Sequence, residues 1–365
     1  MIIAAFLLQA LATADIERVV TSGIQRGVYP GAVVVVGTRD TILFARGFGH
    51  FTWAATSAAA DPSTSLYDLA SLTKVVGTTP AIMLLADRGL VNIDRPVSSY
   101  LPDFVGSGKE VVTVRNLLAH NSGLRAYLRL DTLAKDAAGA RTVVMREPLR
   151  WKPGSHVEYS DLNAMLLGWI VERVSGVTLD AFVSRELLAP LGMTETLFKP
   201  SRALRPRVPP TGLWRGHAIA GEVNDQNAVR LGGASGHAGL FSTGMDLARY
   251  AQMWLRNGVT RSGRQLFKPE TIASYMTRQA GTRALGWELR DSSTTDNWGR
   301  KMGARTFGHT GFTGTCLWID PDRGLFVVIL TNRVYAPRNN RSITRLKEIR
   351  GLVADAAVGL AEESK

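Results

Sequence analysis

A single cysteine, Cys316, stands in 365 residues, so no internal disulfide can form. Its neighbours read as a buried strand, which makes it a quiet core thiol. Six histidines are scattered, and neither His-Glu-x-x-His nor Cys-x-x-Cys spacing occurs, so no metal site is expected. No repeat of fixed period and no low-complexity tract interrupts the chain. No stretch is long enough and apolar enough to cross a membrane. The net charge of +12 comes from dispersed arginine rather than from a basic run or from basic residues interleaved with aromatics. Nucleic-acid binding is therefore not expected, while attraction to an anionic polymer such as a cell envelope fits the charge.

What is present is globular material: 45% hydrophobic and 20% charged residues, enough for one large core or two intimately packed subdomains. Met1 to Ala14 carries no charged side chain and ends Ala12-Thr-Ala14 before Asp15. Two readings stay open for it, the remnant of a secretory signal without its basic start, or an alanine-rich beginning to the first helix. Export, to the periplasm or outside the cell, is the expectation. Lys199 to Pro210, rich in proline and arginine, reads as a surface loop.

Periodicity predicts a helix from Asp15 to Gly27, with Ile16, Val19, Val20 and Ile24 on one face. Strands follow over 30–37 and 41–46, around the turn at Thr38-Arg-Asp40. Close to the other end, 314–319 and 325–331 flank Asp320-Pro-Asp-Arg-Gly324 as a second hairpin, and a helix over 343–360 closes the chain. From Tyr67 to Tyr250 the pattern is mostly helix and loop. Hairpins at both ends, each flanked by a helix, predict an α+β fold with one antiparallel sheet and a helical insertion. The expected boundaries are a single domain over 15–365, with sheet portions near 15–66 and 285–365 and a helical portion near 67–284.

The most informative motif is Leu69-Ala-Ser-Leu-Thr-Lys74, at the head of an apolar helical stretch. Residues i and i+3 share a helix face, so the hydroxyl of Ser71 and the amine of Lys74 lie side by side. A partly dehydrated amine can take a serine's proton or tune another base that does. A serine at a helix start also leaves its own N–H free for developing negative charge. The structural alternative is a chance motif with serine as an N-cap.

Two further stretches bear chemistry. Trp151 to Asn163 precedes a helix over 164–174 and contains Tyr159-Ser-Asp161. The tyrosine is either packing or a general base tuned by a nearby ammonium, and Asp161 has a plain reading as helix N-cap. Gly308-His-Thr-Gly-Phe-Thr-Gly314 leads into the C-terminal hairpin. Its glycines let backbone approach a ligand, and its N–H groups can meet an extended substrate or an oxyanion.

Taken together, Ser-Leu-Thr-Lys, Tyr-Ser-Asp and His-Thr-Gly, in this order and at wide intervals, resemble the serine β-lactamase and penicillin-recognising superfamily. The similar branch holds class C β-lactamases, D-alanyl-D-alanine carboxypeptidases and related esterases. Val114 to Leu124, Tyr159 to Gly176, Gly239 to Thr243 and Asp246 to Arg249 are similar to further family stretches, so the resemblance covers nearly the whole chain after Asp15. It implies Ser71 as acylated nucleophile and Lys74 with Tyr159 as proton-handling pair, with the formal base left open. It implies an oxyanion hole from the backbone N–H groups of Ser71 and Phe312, and substrate contacts at His309, Thr310 and Gly311. The expected reaction is acyl transfer without metal or organic cofactor, on a D-alanyl peptide of the cell wall or a small ester. The oligomeric state is not set by the sequence.

Two departures qualify the resemblance. Family β-lactamases carry Tyr-x-Asn, and here Asp161 stands in place of the amide. A carboxylate only accepts hydrogen bonds, so contact with an acyl-amide carbonyl is lost and pairing with Lys74 is the expected substitute. Asn163 is an alternative amide donor. The second departure is His309 in place of lysine, a mostly neutral group near pH 7 and a poorer anchor for a carboxylate. Both point away from a dedicated β-lactamase. His237 is read as either a site wall or a local structural histidine, and Ser122 as a structural turn residue. Ser235 lacks the second glycine of a Gly-x-Ser-x-Gly elbow. Gly106-Ser-Gly-Lys109 lacks the other residues of a phosphate loop. The alternative function is a catalytically silent module that binds wall fragments.

Overall fold

Four consecutive valines seed the sheet. Val33 to Val36 lie in strand β1 (Gly31–Thr38), where branching at Cβ favours extended backbone. Alternation then splits the run between two cores. Val33 and Val35 face a cluster containing Leu72, Val76, Leu247 and Tyr250. Ala32, Val34 and Val36 face another, containing Ile16, Val20, Leu346 and Val353. The computed structural model describes residues 2–214, 217–336 and 341–363.

The other strands of the main sheet are β2 (Ile42–Gly49), β3 (Glu288–Leu289), β4 (Phe307–Thr310), β5 (Cys316–Asp320) and β6 (Leu325–Thr331). Their spatial order is β2-β1-β6-β5-β4-β3, and every pairing is antiparallel. The two chain ends therefore share one sheet, β1 against β6, with Val34 opposite Ile329. Helices α1 (Ile2–Gln25) and α5 (Ile343–Glu363) cover one face. Helix α4 (Gly244–Leu255) and the helical region between β2 and β3 cover the other. This is the α+β architecture read from the sequence, with the central region inserted between the two hairpins.

Boundaries moved in places. Helix α1 runs unbroken through Ala14 and Asp15, because no glycine or proline precedes Gly23, and Gly27 with φ of 68° ends it. Cys316 is fully buried in β5, and burial raises its thiol to about 12. Among the described residues no helix is long and apolar enough to cross a membrane.

A small sheet escaped the sequence reading because its strands have only two or three residues. Leu240–Ser242 pairs with Tyr67–Asp68 on one side and Leu197–Phe198 on the other. It delivers the chain from β2 to the Ser71 turn, where the Leu69 N–H donates to the Leu240 carbonyl at 2.9 Å.

Candidate functional site

Ser71 sits on a strained turn. Ala70, just before it, has φ of 47°, a left-handed conformation that costs a non-glycine residue about 1–3 kcal/mol. Neighbouring side chains hold it there. The buried Asp68 carboxylate accepts the Ala70 N–H at 2.8 Å and the Asn224 N–H at 2.7 Å. Burial raises Asp68 to about 6 against those two donors. Thr313 and Thr315 donate their hydroxyls to the carbonyls of Asp68 and Leu69, at 2.7 and 3.0 Å. The stretch after His309 is thereby tied to the serine turn. Gly311 permits the contact, since a Cβ there would lie 2.4 Å from the Leu69 carbonyl oxygen.

The helix after Ser71 starts with a π turn, Lys74–Thr78, before α2 (Thr79–Asp87). The Thr79 N–H reaches back to the Lys74 carbonyl. Pro80 has no N–H to give to Val75 at the same spacing, and the Tyr250 hydroxyl caps the Val75 carbonyl instead. Ser71 and Lys74 still share a face. The Lys74 ammonium donates to Ser71 Oγ and to the His237 carbonyl, both at 2.9 Å, and lies 2.8 Å from Asp161 Oδ1.

Only 3% of Lys74 is exposed. Burial works against its charge, but the Asp161 carboxylate and then the Tyr159 hydroxyl outweigh it and hold the ammonium above its ordinary pKa. Tyr159 stands beside it, with Lys74 Nζ 5.0 Å and the Arg283 guanidinium 5.3 Å from its ring centre. The imidazoles of His120 and His309 flank the same ring at 4.9 and 5.6 Å. The Tyr159 hydroxyl is buried beside Lys74 and Ser71, and burial raises its pKa against the pull of the Lys74 ammonium.

His309 and Thr310 end strand β4, with Gly311 and Phe312 following, and together they form the opposite wall. His309 is held neutral, its pKa well below 6.5, by burial first and then by Arg283 and Lys74. Its Nδ1–H donates to the Thr310 carbonyl at 2.8 Å, which leaves Nε2 as an unpartnered acceptor. Between the walls lies a cleft of about 690 Å3 bordered by Ser71, Tyr159, Asp161, His309, Thr310, Gly311 and Phe312. Among the described residues, neither the Ser71 nor the Phe312 backbone N–H gives a hydrogen bond to a backbone carbonyl.

Three expectations need correction. Asp161 is not an N-cap. Ser160 holds that position, Asp161 opens helix α3 (Asp161–Ser175), and its carboxylate turns to Lys74. Asn163 is no substrate donor. Two residues on, it faces the opposite side of α3, fully buried, where it accepts the Ser122 hydroxyl at 2.6 Å and meets His120 Nδ1 at 3.3 Å. Ser122 is structural, as expected. His237 does not wall the cleft with its ring, which bonds Ser235 at 2.8 Å and Asp225 at 2.9 Å. Only its carbonyl reaches the site.

The sequence reading missed Arg283, Tyr127, Asn224 and Asp225, all of which border the cleft. Arg283 is one of 43 basic residues and carries no local signature. Its bridge with Glu288, in the strand β3 that pairs with β4, places it over Tyr159.

This sheet and cleft are those of the penicillin-recognising fold, and the comparisons with known proteins agree. The Beta-lactamase family profile matches residues 16–350, so the chain belongs to the β-lactamase family. An Escherichia coli K12 protein named "Putative D-alanyl-D-alanine carboxypeptidase" is 35% identical over 305 residues, 75% of this chain and 70% of that protein. An O157:H7 protein of the same name is 32% identical over 360 residues, 88% of this chain and 82% of that one. Among solved structures, the hydrolase EstCE1, described as having promiscuous acyltransferase activity, superposes with a TM-score of 0.78 at 20% identity, covering 95% of this chain and all (100%) of that one. A penicillin-binding protein homologue from Caulobacter crescentus gives 0.76 at 20% identity, covering 94% and 97%. At those identities the likeness is one of fold.

Proposed function

We propose that this chain is a serine hydrolase working through an acyl-enzyme on Ser71, with a D-alanyl peptide of the cell wall or a small ester as acyl donor and little turnover of β-lactams. The observation that carries this reading is the buried Lys74 ammonium, set 2.9 Å from Ser71 Oγ and 2.8 Å from Asp161, two residues that border the cleft. The named relatives favour a peptidase of the D-alanyl type.

In this reading Ser71 Oγ attacks the carbonyl carbon while its proton passes to the Lys74–Tyr159 pair. Lys74 starts charged, so its surplus proton goes to Asp161 as the serine proton arrives. The N–H groups of Ser71 and Phe312 take the oxyanion. Collapse breaks the C–N or C–O bond, the pair returns a proton to the leaving group, and water or another acceptor releases the acyl group. Neutral His309 cannot hold a substrate carboxylate by charge, and Arg283 supplies the cation near it. No step calls for a metal or organic cofactor, and a wall-derived substrate puts the site of action in the periplasm or outside the cell.

The second reading, a silent binder of wall fragments, draws support from the same ion pair, which keeps the amine charged. Turnover across D-alanyl-D-alanine peptides, nitrocefin and p-nitrophenyl esters separates the two. Hydrolysis of peptide or ester faster than of nitrocefin supports the enzyme. Binding of peptide with no turnover of any of the three establishes the binder.

A further inference from the structure

Beyond the His309–Phe312 wall the cleft has a basic part that the acyl-transfer steps do not use. Phe312, Arg333, Ile343 and Arg350 border it there. Arg333 opens the short turn Arg333–Tyr335 just after β6, and Arg350 projects from α5. Both are buried, 7% and 1% exposed. A buried guanidinium is costly unless an anion or a full set of acceptors meets it. Elsewhere in the chain the buried Glu147 carboxylate meets Arg125 and that of Asp246 meets Arg249.

Arg333 and Arg350 differ. Arg350 gives Nη2 to the Thr315 carbonyl at 2.9 Å and Nη1 to Asn297 Oδ1 at 3.5 Å. Arg333 gives Nη1 to the Arg341 carbonyl at 3.4 Å and lies 5.1 Å from the centre of the exposed Phe312 ring. All these partners are neutral, and among the described residues the Nε of each arginine has no acceptor. Burial and then the nearby Arg350 charge lower Arg333 to about 10. Of the carboxylates bordering the cleft, Asp161 and Asp225 are occupied, with Lys74 and His237, and Glu288 lies in β3 beside its bridge partner Arg283. Two adjacent buried cations that meet no carboxylate among the described residues, on the wall of a substrate-sized cleft, form a site whose missing component is an anion.

We propose that the Arg333–Arg350 end of the cleft binds a second anionic group of the substrate, a carboxylate carried at a distance from the scissile carbonyl. This deepens the acyl-transfer reading and rests on it for the identity of the ligand. Acidic acyl donors are then preferred over neutral ones of the same length. The preference belongs to the arginine pair and not to Arg283, which stands over Tyr159.

The test compares p-nitrophenyl esters of glutaric and adipic acid, each as free acid and as methyl-capped acid, in the wild type, Arg333→Gln and Arg350→Gln. The expected ratio of kcat/KM, free acid over capped, is about tenfold or more in the wild type for at least one length, the scale of one charge-assisted bidentate contact. In Arg333→Gln it falls to near one. Arg350→Gln does the same if it folds; if it does not, Arg333→Gln decides alone. A wild-type ratio near one at both lengths, or a ratio kept in Arg333→Gln, overturns the proposal. Should the wild type cleave none of the esters, the acyl-transfer reading is judged separately on D-alanyl-D-alanine peptides, and inorganic phosphate becomes the probe of the arginine pair. A rise in wild-type melting temperature with millimolar phosphate that Arg333→Gln lacks sustains the anion site. No rise, or an equal rise in the variant, overturns it.

Discussion

The Asp161 carboxylate lies 2.8 Å from the Lys74 ammonium, at the position where family β-lactamases carry an amide. Both groups are shielded, the side chains 4% and 16% exposed, so their charges interact far more strongly than across water. A carboxylate here converts a substrate-facing hydrogen-bond donor into a counter-ion for the amine.

Asp161→Asn removes that counter-ion and restores an amide. The account predicts that ester turnover falls at least about tenfold, as expected when one charge-assisted contact of a proton relay is lost. The nitrocefin-to-ester ratio of kcat/KM rises at the same time, because the amide can donate to an acyl-amide carbonyl. An unchanged ratio contradicts this account of position 161.

Lys74→Ala and Tyr159→Phe each lower acylation by roughly 100- to 10,000-fold, the usual span for removing a general acid–base group. Circular dichroism and melting temperature report whether the fold survives. Near-normal turnover in a folded variant removes that residue from the mechanism.

Stability has a predicted pH slope. His120 and His309 are both held well below 6.5, burial being the first cause in each case, so the folded state keeps them neutral while the unfolded chain takes up protons. More protons bound in the unfolded state means that stability is present above pH 6.5 and is lost as pH falls below it, by up to ~1.4 kcal/mol per pH unit for each group. Asp68, raised to about 6, acts with the opposite sign, gaining stability as pH falls through that value. It is common to wild type and His309→Gln, so comparing the two isolates the histidine. Melting temperature between pH 7 and pH 5 should fall more steeply in the wild type than in His309→Gln. Parallel curves contradict a neutral buried His309.

The loop behind Lys74 is set by a close approach of backbones. A Cβ on Gly236 would lie 1.9 Å from the Ala164 carbonyl oxygen, and one on Gly168 of α3 would lie 3.1 Å from the Gly236 backbone. Gly236→Ala must push the loop away and with it the His237 carbonyl that holds Lys74. The predicted cost is about 1–3 kcal/mol of stability from overpacking, with kcat reduced more than KM is changed. A variant with wild-type melting temperature and wild-type kcat contradicts this view of the loop.

Much of this was legible in the sequence where a strong local pattern coincided with the final contacts. The valine run of β1 and the Leu325–Thr331 strand announce a buried sheet, and Ser71 with Lys74 announce their own adjacency through helical spacing. What stayed hidden depends on distant pairing. Nothing near Arg283 says that β3 will set it over Tyr159, whereas the carboxylate at 161 in place of an amide already pointed to the pairing with Lys74 that the 2.8 Å contact bears out. Asn163 was misplaced because its helix was started three residues late, at 164, which concealed that 161 and 163 face opposite sides. The π turn at Lys74 follows from Pro80, six residues downstream, yet the hydroxyl that completes it comes from Tyr250 in another helix.

The most direct measurement is the mass of the intact protein after exposure to a fluorophosphonate and to a labelled penicillin, with peptide mapping of the site. The account predicts a stoichiometric adduct on Ser71 with at least one of the two probes, and none in Ser71→Ala. A folded wild-type protein that gains no mass from either, or gains it on another residue, contradicts the claim that Ser71 is the nucleophile.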